Sequence, residues 1–150
     1  AVEVRNAMTA HPSVVSRSNS VAEAACVMRD RRLRMLPVID DLCLRGLVGV
    51  ITDNDIVTRC VARGHAPACT VDAYMTREAL ASVSADADVS VVVGIMQERS
   101  VSRLPVIDDD GRVIGVISLA DLAARIEHVD PHMIALVEQS LSAARLLTVR

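Results

Sequence analysis

The chain has no Phe, no Trp, no Lys and a single Tyr, Tyr74. A core without aromatic rings must be filled by Val, Ile, Leu, Ala and Met. A flat ligand would then be gripped by aliphatic side chains and backbone rather than by ring stacking. With Lys absent, all 16 basic residues are Arg, against 19 acidic ones and a net charge of −3. A mildly acidic chain without a basic run or aromatic–basic interleaving is a poor nucleic-acid binder, and no nucleic-acid partner is expected. Small anions are a different matter, because a few local Arg bind phosphate bidentately whatever the overall charge. No apolar run approaches the roughly 18–20 residues of a membrane span. No secretory leader is expected from its first residues. The expectation is a cytoplasmic protein that does not engage a membrane. The four cysteines (Cys26, Cys43, Cys60, Cys69) form no CxxC pair and read as reduced thiols.

What is present is apolar and duplicated. Hydrophobic residues make up 51% of 150, which excludes disorder and suits one compact domain or two half-size units. Leu36-Pro37-Val38-Ile39-Asp40-Asp41 returns as Leu104-Pro105-Val106-Ile107-Asp108-Asp109. Gly49-Val50-Ile51-Thr52 returns as Gly115-Val116-Ile117-Ser118, Met8-Thr9 as Met75-Thr76, and Met28 as Met96. These marks keep the same order at nearly the same offset, so the chain is read as an internal repeat.

Each copy reads as β-α-β-β-α. A short β-branched stretch (Ser13–Ser16; Ala81–Ser84) precedes an amphipathic helix. The first helix starts near Ser20 with Val21, Ala24, Ala25 and Met28 on one face. The second starts near Asp88 with Val89, Val92, Val93 and Met96. Ser20 and Asp88 are the expected N-caps. A strand follows (Met35–Ile39; Arg103–Ile107), then a polar turn, a second strand (Leu47–Ile51; Val113–Ile117) and another helix from Thr52 or Ser118. The expected division is repeat 1 over 1–66, repeat 2 over 67–128 and a C-terminal helix over 129–150, with 63–70 as connector. Pro131 fits the first position of that last helix.

The segments Gly49-Val50-Ile51-Thr52-Asp53-Asn54-Asp55 and Gly115-Val116-Ile117-Ser118-Leu119-Ala120-Asp121 carry the chemistry. A strand that runs straight into a helix puts the helix N-terminus at the sheet edge, where free N–H groups and the dipole favour an anion. A cap hydroxyl can donate to a phosphate oxygen. An Asp one turn later can accept both hydroxyls of a ribose. Hydroxyl-x-x-acid is also the capping box, in which the acid bonds back to the cap residue, and such boxes occur in helices with no ligand. The box favours Glu or Gln, whereas both copies use the shorter Asp, and both follow a strand begun by Gly.

This combination of Met-Thr, Leu-Pro-Val-Ile-Asp and Gly-Val-Ile-(Thr/Ser)-x-x-Asp resembles the CBS (cystathionine-β-synthase) domain, over about Val4 to Ala124. The resemblance implies an α/β (α+β) fold in which two β-α-β-β-α repeats pack about a pseudo-two-fold axis. It implies a homodimer, and AMP, ADP, ATP or S-adenosylmethionine bound between the repeats, with no required cofactor. Thr52 and Ser118 would then touch phosphate, and Asp55 and Asp121 would hold ribose. Adenine would lie along Val14–Ser16 or Ala81–Ser84, so that Val15, Ser16, Val83 and Ser84 join the site. Arg103, just before the second Leu-Pro pair, matches a basic position of phosphate-binding relatives, with a solvated strand end as its alternative. The first copy has Met35 there and Arg34 one place earlier, which a strand turns to its other face. The function implied is a stand-alone regulatory module acting in trans on an unknown protein, with a ligand-free dimerisation scaffold as the alternative.

No nucleophile–base or acid–base constellation stands out, so no enzyme and no catalytic residue are expected. His128 and His132 are four apart, but Pro131 between them starts a helix and no third ligand is evident, so no metal is expected. Cys26 reads as a small core residue and Cys43 as an exposed turn thiol with redox potential. The small residues around Leu141 suit close helix packing, as in a dimer contact.

Overall fold

The computed structural model describes residues 2–40, 43–78 and 80–126, together with 131, 132, 135, 136, 138, 139 and 142. Both copies fold as β-α-β-β-α. The first comprises β2 (Val15–Ser16), α1 (Val21–Arg31), β3 (Met35–Ile39), β4 (Leu47–Thr52) and α2 (Asp53–Asp55), which continues as a π-helical stretch (Ile56–Val61). The second comprises β5 (Val83–Ser84), α3 (Val89–Arg99), β6 (Arg103–Ile107), β7 (Val113–Ser118) and α4 (Leu119–Ile126). One further strand, β1 (Thr9–Ala10), and two 3-10 turns (Val4–Asn6; Val71–Ala73) complete the described elements. The helix expected over 129–150 lies largely outside the described residues. Those described within it have helical backbone.

Local chemistry accounts for the helices. Ser20 caps α1 with a full capping box: Oγ accepts from the Glu23 N–H at 3.0 Å, and Glu23 returns toward the Ser20 N–H. Asp88 caps α3 by accepting from the Ser90 N–H at 2.9 Å, a bond that holds its carboxyl below the usual range. Both helices end in a left-handed residue, Arg32 (φ 56°) and Ser100 (φ 55°). The apolar faces go inward as their spacing requires: Val21, Ala24 and Met28 in α1; Val89, Val92, Val93 and Met96 in α3. Cys26 departs from its expected place. It lies on the exposed face of α1, two positions from Ala24 and so on the opposite side of a 3.6-residue turn.

The chain divides into two compact units that cut across the order of the repeats. One comprises residues 1–12, 81–109 and 114–150; the other comprises 13–80 and 110–113. The first holds a four-stranded sheet in the order β1-β7-β6-β5, the second a three-stranded sheet β2-β3-β4. β2 runs parallel to β3 (Val15↔Val38) and β5 parallel to β6 (Val83↔Val106), whereas β1 runs antiparallel to β7. Each unit also takes in the segment that precedes the other repeat. In the first, the Val4 N–H donates to Ala87 O (2.9 Å), Arg5 N–H to Ala85 O (3.0 Å) and Val89 N–H to Val2 O (2.9 Å). In the second, Val71 N–H donates to Asn19 O (2.8 Å), Asp72 N–H to Arg17 O (3.0 Å) and Val21 N–H to Cys69 O (2.8 Å). The connector therefore docks on the start of α1.

The Met-Thr marks complete these docks. Thr9 pairs with Val116 on β7, and Thr76 bridges Val50 on β4. They lie across the glycines of the two repeated motifs. A Cβ on Gly49 would stand 2.9 Å from Thr76 O and 2.8 Å from Met75 Sδ; one on Gly115 would collide with Met8 Sδ and stand 3.1 Å from Thr9 O. At Gly49 the passing backbone leaves no room for a Cβ; at Gly115 the closest obstacle is the flexible Met8 side chain, with the backbone slightly further off. Each unit carries its own cluster of buried side chains. Leu104, Val106, Ile117 and Leu122 lie in one, and Leu36, Val38, Ile51 and Val71 in the other.

Candidate functional site

The hydroxyl-x-x-Asp segments have nearly identical geometry in the two repeats. The Thr52 N–H donates to Asp55 Oδ2 at 2.9 Å, and the Asp55 N–H donates to Thr52 Oγ1 at 3.1 Å. The Ser118 N–H donates to Asp121 Oδ2 at 2.9 Å, and the Asp121 N–H donates to Ser118 Oγ at 3.1 Å. Both are complete capping boxes, so Asp spans the distance that Glu or Gln usually spans. All four residues are partly exposed.

Capping does not exhaust these groups. Each hydroxyl oxygen spends acceptor capacity on an amide and keeps its O–H to donate. Each carboxylate spends Oδ2 on the cap and keeps acceptor sites on Oδ1. An anion in front of the helix would meet an O–H donor on the cap. A diol beside it would meet a carboxylate oxygen.

The sheets place the remaining candidate residues. Thr52 lies opposite Met35 at the start of β3, whereas Val15 and Ser16 lie opposite Val38 and Ile39. Met35 and Val38 are three positions apart, about 10 Å along a strand, and β2 stands two strand spacings, roughly 9–10 Å, from β4. Val15–Ser16 thus occupies the corner of the sheet diagonal to Thr52 and Asp55. Val15 is buried in the core, and Ser16 turns its N–H to Asn19 Oδ1 (2.7 Å) and its hydroxyl to Ser18 (3.0 Å). In the other unit, Val83 is likewise buried and Ser84 accepts from the Asp86 N–H at 3.2 Å. Because β2 and β5 run parallel to β3 and β6, the residues leading into them, Ser13–Val14 and Ala81–Ser82, lie on the side of the starts of β3 and β6.

 

Arg103 starts β6, exposed, with Nη1 3.4 Å from Ser102 Oγ. Ser102 O in turn accepts the Leu119 N–H at 3.0 Å, which brings Arg103 to the same sheet end as Ser118 and Asp121. In the other unit the equivalent bond runs from the Asp53 N–H to Arg34 O (2.9 Å), and Met35 occupies the place of Arg103. Arg34 is displaced toward Asp53, with Nε 3.9 Å from Oδ2. The structure therefore groups Arg103 with Ser118 and Asp121, and gives Thr52 and Asp55 no equivalent strand cation.

A cation that sequence reading passed over lies one turn beyond Asp55. Arg59 Nη1 donates to Tyr74 O (3.1 Å), and its Nε stands 4.0 Å from Asp55 Oδ1. The spacing of four residues from Asp55 was the available signal. The π-helical stretch sets the helix beyond it: the Ala62 N–H donates to Val57 O at 2.8 Å, a five-residue step.

Among the described residues, no group of three or more His, Cys, Asp or Glu side chains is arranged to hold a metal. His128 lies outside the described residues. Among those described, no helix is long and apolar enough to cross a membrane.

Comparison with known proteins identifies the family of the chain. The CBS domain family matches residues 4–62 and 71–128. Hypoxic response protein 1 of Mycobacterium tuberculosis is 31% identical over 130 residues, which cover 87% of each chain. A crystal structure of Hypoxic Response Protein I with two coordinated zinc ions superposes with a TM-score of 0.75, covering 83% of this chain and 98% of that one at 30% identity. The CBS domain pair of protein MJ0100, solved with 5′-methylthioadenosine and S-adenosyl-L-methionine, gives a TM-score of 0.69 at 29% identity, covering 82% and 94%. CBSX2, solved with AMP, gives 0.69 at 27%, covering 83% and 95%. Inosine-5′-monophosphate dehydrogenase of Streptococcus pyogenes is 30% identical over 127 residues, which are 85% of this chain but only 24% of the dehydrogenase. With 4–62 and 71–128 each matched, the chain belongs to the CBS domain family and carries two copies of the domain in tandem.

Proposed function

We propose that this chain is a regulatory CBS pair that binds an adenosyl nucleotide (AMP, ADP, ATP or S-adenosylmethionine) and passes the binding event to a partner protein, without catalysing a reaction. The observation that carries this reading is the doubled cap, in which Thr52 and Ser118 keep a hydroxyl donor and Asp55 and Asp121 keep a carboxylate oxygen at a strand-to-helix junction. Relatives solved with AMP, or with methylthioadenosine and S-adenosyl-L-methionine, support the ligand class. In this reading Thr52 and Ser118 face phosphate, Asp55 and Asp121 hold ribose, and Arg103 neutralises charge. Val15, Ser16, Val83 and Ser84 contribute through the strands that support the adenine. The protein works in the cytoplasm as a homodimer. Ligand binding shifts the population of one arrangement over another, which is the output.

The alternative is a ligand-free dimerisation scaffold. It is favoured by one feature: both boxes already satisfy their own helix ends.

Thermal unfolding with AMP, ADP, ATP, S-adenosylmethionine and NAD in turn separates the two. A specific ligand at 100 times its Kd adds about 2.7 kcal/mol to the native state. Asp55→Asn and Asp121→Asn keep a carbonyl oxygen for the cap but lose the charged diol acceptor. A midpoint shift with one adenosyl ligand, lost in either variant while the unliganded midpoint holds, supports sensing. No shift with any of the five leaves the scaffold.

A further inference from the structure

Four chemically active side chains converge away from the caps, around the one phenol of the protein. Cys60 lies in the last turn of the π-helical stretch, 1% exposed, with Sγ 3.7 Å from His65 O and 3.8 Å from Ala66 O. The Cys69 N–H donates to that same Ala66 carbonyl at 3.1 Å. The Cys69 side chain is partly exposed and packs against the cluster that contains Cys60 and Tyr74. Tyr74, 6% exposed, places its hydroxyl 2.8 Å from His65 Nδ1. Hydrogen bonding with Cys69, then burial, then negative charge on Cys69 and Cys60 push its pKa up to about 12.

We propose that Cys60 and Cys69 are a dithiol pair that closes to a disulfide when a low-molecular-weight disulfide accumulates. Cys69, the more accessible, attacks first. The small disulfide's S–S bond breaks, a mixed disulfide forms on Cys69 and one thiolate leaves to take up a proton. Cys60 then attacks Cys69 Sγ, the Cys60–Cys69 bond forms, and the second small thiolate leaves and takes up the proton Cys60 gives up. Two electrons pass from the two protein thiols to the small disulfide, which ends as two thiols. Thiols held reduced by the cell would stay open, and a rise in the disulfide fraction would close them.

The bond has a defined structural target. Pro67 O and Cys69 O accept the N–H groups of Ala22 and Val21, the first turn of α1. A disulfide would tie the end of the π-helical stretch to this segment and so fix the connector 63–70 on α1. Cys26 and Cys43 are exposed and belong to α1 and to the turn after β3.

The test uses the full chain in mixtures of glutathione and glutathione disulfide, trapped with acid and N-ethylmaleimide and digested with trypsin. The expected product joins peptide 60–63 to peptide 64–77 with the loss of two hydrogens. It should rise with a single midpoint across the redox series, raise the thermal midpoint of the protein and reverse with excess reductant. Cys60→Ser and Cys69→Ser should each abolish it. The proposal is overturned if Cys60 and Cys69 stay open to alkylation under denaturing conditions at the most oxidising ratio, or if they link only between molecules. Nucleotide binding enters none of these readouts, so they stand apart from the functional proposal.

Discussion

Tyr74 shows how much a single residue reports here. It is the one tyrosine of a chain without tryptophan, so phenolate absorbance follows one site. Hydrogen bonding with Cys69, burial and the charge on both cysteines push its pKa up to about 12, against an ordinary value near 10. A phenol whose folded pKa is raised binds its proton more tightly in the native state. Its contribution to stability is whole below pH 10 and is lost as pH rises through 12. Alkaline titration should give a midpoint near 12 in buffer and near 10 in urea, and Tyr74→Phe should flatten the dependence of the urea midpoint on pH between those values. None of this was legible in the sequence, because Cys60, His65, Cys69 and Tyr74 meet through a π-helical step that leaves no mark in apolar spacing. The Thr52/Asp55 and Ser118/Asp121 pairs were legible, down to their double identity as cap and candidate site. Cys26 reads as core from its small apolar side chain alone, whereas its place two positions from Ala24 puts it on the face opposite Val21, Ala24 and Met28.

At the scale of elements, the β-α-β-β-α order could be read because each helix carries a cap and a 3.6-residue apolar stripe, and each strand repeats the other. What could not be read is that each unit is completed by the segment ahead of the other repeat. Thr9–Ala10 is two residues long, and its partner on β7 is more than a hundred positions away, so no local pattern announces the pairing. The charges of the docks are reversed between the units. Arg5 pairs with Asp86 in one, while in the other Asp72 pairs with Arg17 at 2.8 Å and with Arg77 at 2.8 Å. Partial burial alone would raise the Asp72 carboxyl; the hydrogen bonds from Arg77 and Arg17 outweigh it and hold it below the usual range. Docked in the wrong unit, Arg5 would face Arg17 and Asp72 would face Asp86, which favours the observed exchange. The glycines of the repeated motif were the one local trace of these docks. Gly49→Ala meets the Thr76 carbonyl, which cannot swing aside, whereas Gly115→Ala meets chiefly the flexible end of Met8. Gly49→Ala should cost about 1–3 kcal/mol and Gly115→Ala less, as read from urea midpoints.

For the molecule as a whole, the two repeats are duplicates in fold but not in charge. One has Arg103 at the sheet end that carries Ser118 and Asp121; the other has Met35 across from Thr52, with Arg34 drawn to Asp53 and Arg59 bonded to the Tyr74 carbonyl. If both caps take an adenosyl ligand, its 5′ substituent should sort them. A phosphate chain gains a charge-assisted partner beside Ser118, whereas a ligand with no phosphate gains nothing from Arg103. A hydrogen bond to a charged group contributes about 1.5–3 kcal/mol, so Arg103→Met should weaken AMP or ATP by roughly ten- to a hundredfold. The same variant should leave 5′-methylthioadenosine unchanged. Met35→Arg should do the reverse at Thr52, converting a weak phosphate site into a stronger one. Calorimetric titration of the four protein–ligand combinations for each variant reads this directly. A uniform loss across phosphate-bearing and phosphate-free ligands would mean that Arg103 supports the fold of the sheet end. A loss confined to the phosphates would mean that the duplicated fold has diverged into one anion-selective repeat and one indifferent to the ligand's charge.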